Sequence, residues 1–203
     1  MPCHRKLEYI MLKSRLWSFV ILALLGLSAC TQKETSVTMD ASDTQTASGT
    51  ASAVATSTQT LTSKDDQLSI VVDGDFTDVM GSASEWVDQA QINNLTLLQH
   101  DNGSNITLAV NNLGAIKIKA DEYFKNLADS LKNNKDISNV KVGIATENRM
   151  NYRFSHQQNG TLLHESCVAL VGSNNLYSVC ASSDSAGDDA LGATLKTINV
   201  QNS

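Results

Sequence analysis

The stretch from Leu162 to Ala181, LLHESCVALVGSNNLYSVCA, decides how this chain folds. Leu162 to Val171 and Leu176 to Ala181 are apolar-rich runs, and they flank Gly172-Ser173-Asn174-Asn175, a cluster of turn formers. Runs of this kind around such a cluster read as two long antiparallel strands joined by a tight loop. With Ser173-Asn174 as the loop, Gly172 faces Asn175, and counting back along both strands brings Cys167 opposite Cys180. Opposed Cβ atoms lie about 4.5–5.5 Å apart, close to disulfide reach. Closing a loop of this size contributes about 3 kcal/mol in chain entropy, and less where the hairpin already holds its ends together. Two buried free thiols, or a one-residue slip that separates them, are the alternatives.

Outward from this hairpin the pattern stays regular. Met150, Tyr152 and Phe154 alternate in a strand that ends at the turn Asn159-Gly160, and Val140, Val142 and Ile144 alternate in the strand before it. Together these four strands make a meander. Upstream, Phe124, Leu127, Ala128 and Leu131 follow helical spacing, with Asp121 as N-cap and Asn133-Asn134 as a stop. Leu95 to His100 and Asn105 to Val110 flank Asp101-Asn102-Gly103-Ser104, where Asn-Gly calls for a type I′ hairpin turn with positive φ at both central residues. Leu68, Ile70 and Val72 form a half-buried strand that turns at Asp73-Gly74-Asp75 toward Phe76. At the other end a helix is expected from about Ser185 to Thr197, capped by Asp184. Asp188 and Asp189 sit near its positive end, and Ala190, Leu191, Leu195 and Ile198 form its apolar stripe. The order implies an α+β domain, helices packed on an antiparallel sheet, over residues 67–203 with its last element ending near Val200.

The segment in front of the domain reads as an address and a tether. Lys13 and Arg15 precede the apolar run Leu16 to Leu27, which is shorter than the roughly 20 residues a spanning helix needs. The run ends in Leu27-Ser28-Ala29-Cys30, which is similar to the lipobox of bacterial lipoproteins. Small residues at 28 and 29 admit a peptidase, and the Cys30 thiol accepts the diacylglycerol. Residues 1–29 are thus expected to be a lipoprotein signal peptide, with the true start at Met11 and Cys3 and His4 irrelevant to function. The alternative is an uncleaved membrane helix with a chance LSAC. Two or three acyl chains on Cys30 make a stable anchor, since each buried CH₂ is worth about 0.8 kcal/mol. Residues 30–66 are expected to be a disordered tether: Thr31 to Asp66 holds 10 Thr, 6 Ser and 5 Ala and no aromatic residue. As a flexible coil it spans about 30–35 Å. O-glycosylation is compatible with this composition, though nothing in it requires the modification.

Charge and cysteine spacing exclude several function classes. The chain of 203 residues carries 15 Lys and Arg against 21 Asp and Glu, a net charge of −6, which argues against nucleic-acid binding. From Cys30 onward the balance is 11 against 20, so membrane contact is expected through lipid and not through a basic face. Four cysteines without a CxxC pair leave no common zinc or redox spacing.

The anchor, the spacer and the element order together resemble the DcrB family of small bacterial lipoproteins, in the Mog1/PsbP-like fold class. The likeness is carried by the opening strand running into Asp75-Phe76-Thr77-Asp78, the helix from Phe124 to Leu131, and the hairpin Val168 to Gly172 with Leu176 to Val179. The closing segment Leu195-Lys196-Thr197-Ile198 completes it. The resemblance implies an envelope lipoprotein without enzymatic activity, linked to phage adsorption and envelope integrity, and it supplies no active-site residue. Some members have Asp after the lipidated Cys, which retains them in the inner membrane. Here Thr31 takes that place and favours the outer membrane.

The remaining candidates have plain explanations. His100, His156 and His164 show no ligand spacing, and no metal or cofactor is expected. His164, Glu165, Ser166 and Cys167 lie on one strand, where neighbours point to opposite faces and cannot assemble a nucleophilic triad. Asp65-Asp66 and Asp73-Gly74-Asp75 lack calcium-loop spacing and read as turns. Trp86 and Tyr123 read as packing residues. The expected function is a periplasm-facing, non-catalytic interaction domain with an envelope protein as partner, or else a carrier of a small or lipidic ligand in a pocket between sheet and helix.

Overall fold

The computed structural model describes residues 57–172 and 175–201; the signal segment, Cys30, most of the tether and the loop pair Ser173-Asn174 lie outside them. In chain order the elements are strands β1 (Thr58–Thr62), β2 (Leu68–Asp73) and β3 (Phe76–Asp78), then short helices α1 (Ala83–Trp86) and α2 (Gln89–Ile92). Strands β4 (Leu95–Asp101) and β5 (Ile106–Ala115) lead to helix α3 (Ala120–Asn133). The meander β6 (Ile137–Val142), β7 (Arg149–Gln158), β8 (Thr161–Val171) and β9 (Asn175–Ser183) follows, then helix α4 (Asp188–Thr194) and strand β10 (Thr197–Val200). The strands form two sheets, β1-β2-β10 and β3-β4-β5-β9-β8-β7-β6. Every ladder is antiparallel, so the α+β class expected from the element order is what the chain adopts.

The deciding hairpin has the expected register. Val171 pairs with Leu176 and Cys167 with Cys180, and the Gly172 N–H donates to the Asn175 carbonyl at 2.8 Å. Side chains of a strand alternate between the two faces of the sheet. Val168 and Leu170 therefore face one layer, Cys167 and Ala169 the other, and all four are buried. A strand covered on both sides carries an unbroken apolar run, which is why Cys167-Val168-Ala169-Leu170 shows no polar alternation.

On one side of the large sheet, Leu108, Val110, Val168, Leu170, Val179 and Ala181 pack against Leu68, Ile70 and Val72 of β2 and against Leu191 and Leu195 at α4. On the other side two helical segments share the cover. Phe124 of α3 packs on Met150 and Ala169, while Val79 to Ile92 closes over Leu95, Leu98 and Ala109.

Several local expectations are corrected. Among the described residues the first strand begins at Thr58, ahead of Gln67: β1 lies within the segment read as tether and pairs with β2 from Thr58↔Asp73 to Thr62↔Ser69. Alternate Thr residues face out and Gln59 and Leu61 face in, and β-branched Thr suits a strand edge as well as it suits a solvated tract. The closing helix is only Asp188–Thr194, preceded by Gly187 and not capped by Asp184. Thr197 to Val200 instead becomes a strand, because Ile198 fits beside Ile70 on the open edge of β2. A stripe of Ala190, Leu191, Leu195 and Ile198 satisfies helical spacing, but Ile198 and Val200 satisfy strand alternation equally well.

Lys119, not Asp121, is the N-cap residue of α3. Ile144 lies beyond β6 and is exposed. The Asn102-Gly103 turn is also not type I′. Asp101 pairs with Ile106, so the loop has four residues, and Asn105 takes the positive φ of 53°. The buried Asp101 carboxylate holds this loop, accepting from Gly103 N–H at 2.9 Å and from Ser104 Oγ at 2.6 Å. It also explains Gly74, whose φ is +140° and where a Cβ would come within 2.9 Å of Asp101 Oδ2. Asn159-Gly160, by contrast, has positive φ at both residues and joins β7 to β8 directly after Gln158↔Thr161. Among the described residues no helix is long and apolar enough to cross a membrane.

Candidate functional site

Strand β7 is amphipathic, and its polar face borders a cleft. Met150, Tyr152 and Phe154 lie on the face toward α3, while Arg149, Asn151 and Arg153 lie on the face shared with the principal core. That core includes residues of β8 but none of β6 or β7. Beyond α4 the polar side of β6 and β7 therefore lines an open cleft of about 730 Å³, with Ser166 and Val168 from β8 and Asp188, Asp189, Gly192, Ala193, Leu195 and Lys196 on its other wall. This volume falls in the range of small-molecule sites.

Cations dominate the cleft in an otherwise acidic domain. Lys141, Arg149, Arg153 and Lys196 line it, four of the ten Lys and Arg between residues 57 and 201, against two of the 17 Asp and Glu. Lys141 lies directly across from Arg153 in the β6–β7 ladder, an unfavourable pairing of like charges. Arg153 is balanced by Asp188 at 2.8 Å, an exposed pair that contributes little to stability. Arg149 is different. It is half-buried, its Nε–H donates to Asn151 Oδ1 at 3.0 Å, and an Nη2 N–H donates to the Leu195 carbonyl at 3.1 Å. Both acceptors are neutral, and burial pulls its pKa below the ordinary arginine value.

The opposite face of the sheet holds the sequence candidates. Cys167 and Cys180 are joined in a disulfide with Cα atoms 4.1 Å apart. Glu165 lies on the same face, with Oε2 3.5 Å from Cys167 Sγ, and its Oε1 meets His156 Nε2 at 2.8 Å. This hydrogen bond to a carboxylate raises the His156 pKa, outweighing the opposing effect of burial. Phe154 stacks parallel to Tyr152, and burial pushes the Tyr152 hydroxyl up. That hydroxyl meets Ser178 Oγ at 3.2 Å. Glu165, Cys167 and Cys180 offer atoms within 4.8 Å of one another, a grouping of metal-ligand type. Their sulfurs are bonded to each other, so the pair presents no thiolate for a metal.

The other candidates are dispersed. His164 points away from Glu165, and its Nδ1 meets Ser155 Oγ at 3.2 Å on the far face. His100 is buried, bonded to Thr107 Oγ1 at 3.0 Å and packed against the Trp86 ring with centroids 4.3 Å apart. Tyr123 contacts Phe124 edge-on. Asp65 accepts from Ser63 Oγ at 2.6 Å and from Asn112 Nδ2 at 2.9 Å, which ties the β1–β2 turn to β5. Gly74 turns β2 toward β3. Cys30 and its lipobox lie outside the described residues.

Sequence reasoning offered a pocket between sheet and helix but assigned to it none of the residues that line this cleft. Its one local signal is the alternation Arg149, Asn151, Arg153 against Met150, Tyr152, Phe154; Lys196 joins only through the fold. No protein-family model matches the chain, and no curated protein matches it either.

Proposed function

We propose that the chain is an envelope lipoprotein, anchored through lipid on Cys30, whose α+β domain faces the periplasm and acts by binding and not by catalysis. The Cys167–Cys180 bond carries this reading, because structural disulfides form and persist in oxidising compartments outside the cytosol. It agrees with the basic region, apolar run and LSAC of the leader. The resemblance to the DcrB family points the same way and links the domain to envelope integrity or phage adsorption through an envelope protein partner. Thr31 after Cys30 favours the outer membrane. The carrier reading gains support from the cleft between α4 and the sheet, whose charged lining suits a small polar ligand better than an acyl chain.

Intact mass of protein extracted from washed membranes tests the anchor. The expected mass is that of a chain beginning at Cys30 plus acyl groups, rising by about 2 Da on reduction as the single bond between Cys167 and Cys180 takes up two hydrogens. An unacylated or full-length mass removes the envelope reading.

A further inference from the structure

We propose that the cleft between α4 and strands β6–β8 binds a small phosphate-bearing anion, held by Arg149 with Lys141 and Lys196. This deepens the binding reading above and rests on it.

Three observations converge on the cleft. Charge is segregated: a domain with excess acid concentrates four cations there against two carboxylates. Arg149 is half-buried at its wall, yet among the described residues no carboxylate meets it, since the ion pairs are Lys125–Asp129, Arg153–Asp188 and His156–Glu165. A partly desolvated cation held only by neutral acceptors is incompletely compensated, and an incoming anion completes it. The bonds to Asn151 Oδ1 and the Leu195 carbonyl hold the planar guanidinium in place before any ligand arrives.

Arg153 is matched by Asp188, which leaves Arg149, Lys141 and Lys196 facing the single further carboxylate Asp189. That surplus exceeds what one carboxylate ligand neutralises and suits a phosphate group, which carries about −1.5 to −2 at neutral pH. Val168, Ala193 and Leu195 give the same cleft an apolar wall, and its volume of about 730 Å³ leaves room for an organic body beside the phosphate. The purely structural account makes Arg149 a strap from β7 to the end of α4 and the lysines a solvated rim. It predicts lost stability on substitution but no anion affinity.

The test titrates the full mature protein, in neutral detergent, with inorganic phosphate and with soluble dihexanoylphosphatidylglycerol at constant ionic strength, following Arg149 Nε and the Gly192 and Ala193 amides by NMR. The expected result is saturable shifts with at least one probe that sodium chloride does not reproduce. Arg149→Gln weakens binding by about tenfold or more, the loss of a charge-assisted bond. Because Arg149→Gln also loosens α4, the exposed pair Lys141→Gln/Lys196→Gln is the second variant. It weakens binding several-fold at unchanged melting temperature. Tighter binding of inorganic phosphate identifies a free phosphate compound, and tighter binding of the lipid identifies a headgroup. Absence of saturation with both probes, or binding that both variants leave intact, overturns the proposal. The mass measurement is independent, so loss of the acyl groups with phosphate binding retained sinks the envelope reading alone.

Discussion

His156 and Glu165 stand one strand apart on the disulfide face, 2.8 Å from nitrogen to oxygen, with side chains only 21% and 16% exposed. That shielding makes the pair a better source of pH dependence than the exposed ion pairs Lys125–Asp129 and Arg153–Asp188. The bond to Glu165 raises the His156 pKa, with Asp88 adding to it. A histidine whose folded value lies above its unfolded one binds its proton more tightly when folded. Its stabilisation is therefore complete below the ordinary value of 6.5 and fades as pH rises through the raised value. The urea midpoint is expected to fall between about pH 6 and pH 8, and His156→Gln is expected to flatten that fall. A variant with the wild-type slope would show that the coupling lies elsewhere. Sequence revealed neither partner, because His156 and Glu165 are diagonal neighbours across β7 and β8 and only the register brings them together.

At the scale of elements, the β8–β9 hairpin was the most legible part of the chain. Its turn formers, apolar runs and cysteines favour one register over a one-residue slip, and the ladder and the disulfide follow it. The bond links residues 13 apart, and opening it restores conformations to the unfolded chain. Cys167→Ala/Cys180→Ala is expected to cost about 2–3 kcal/mol, toward the lower end because the hairpin already holds its ends close. Urea unfolding of the oxidised, reduced and double-variant proteins measures this; equal midpoints for all three would show that the ladder alone holds the two strands. The helices were less legible at their ends. Asp121 and Asp184 are chemically suited to cap, yet the chain enters α3 at Lys119 and α4 at Gly187. Capping chemistry marks where a helix is able to start, but neither N-cap residue here makes a side-chain capping bond, and the helices bury Phe124 and Leu191 in the core.

For the whole molecule, the boundary of the folded unit carries the main correction. Strand β1 adds the partly buried Leu61 to the principal core, and buried Ser63 bonds the Leu68 N–H at 3.0 Å. A chain that starts at Gln67, where composition changes, loses these contacts and leaves β2 paired only with β10. It is expected to be less stable than a chain starting at Ser57 by about 1–2 kcal/mol, the scale of partly burying one leucine. Comparing the two urea midpoints decides it, and equal values would place β1 outside the cooperative unit. Composition concealed this strand because threonine serves both solvated tracts and sheet edges, and only the open edge of β2 selects between them.

The sequence on its own determined what is local: alternation along β2, β6 and β7, the apolar runs of β4, β5, β8 and β9, the α3 stripe, the Asn159-Gly160 turn and the opposition of Cys167 and Cys180, together enough for an α+β class. Each depends on neighbours within a strand, a helix face or one hairpin, where spacing dictates geometry. Tertiary structure alone decided that two sheets form and not one, that Thr197 to Val200 leaves the helix for one edge of β2, and that β1 covers its opposite edge. It also decided that Lys141, Arg149 and Lys196 share one cleft. These outcomes depend on which apolar edges remain uncovered once the larger sheet has formed, and no spacing within a single segment encodes that.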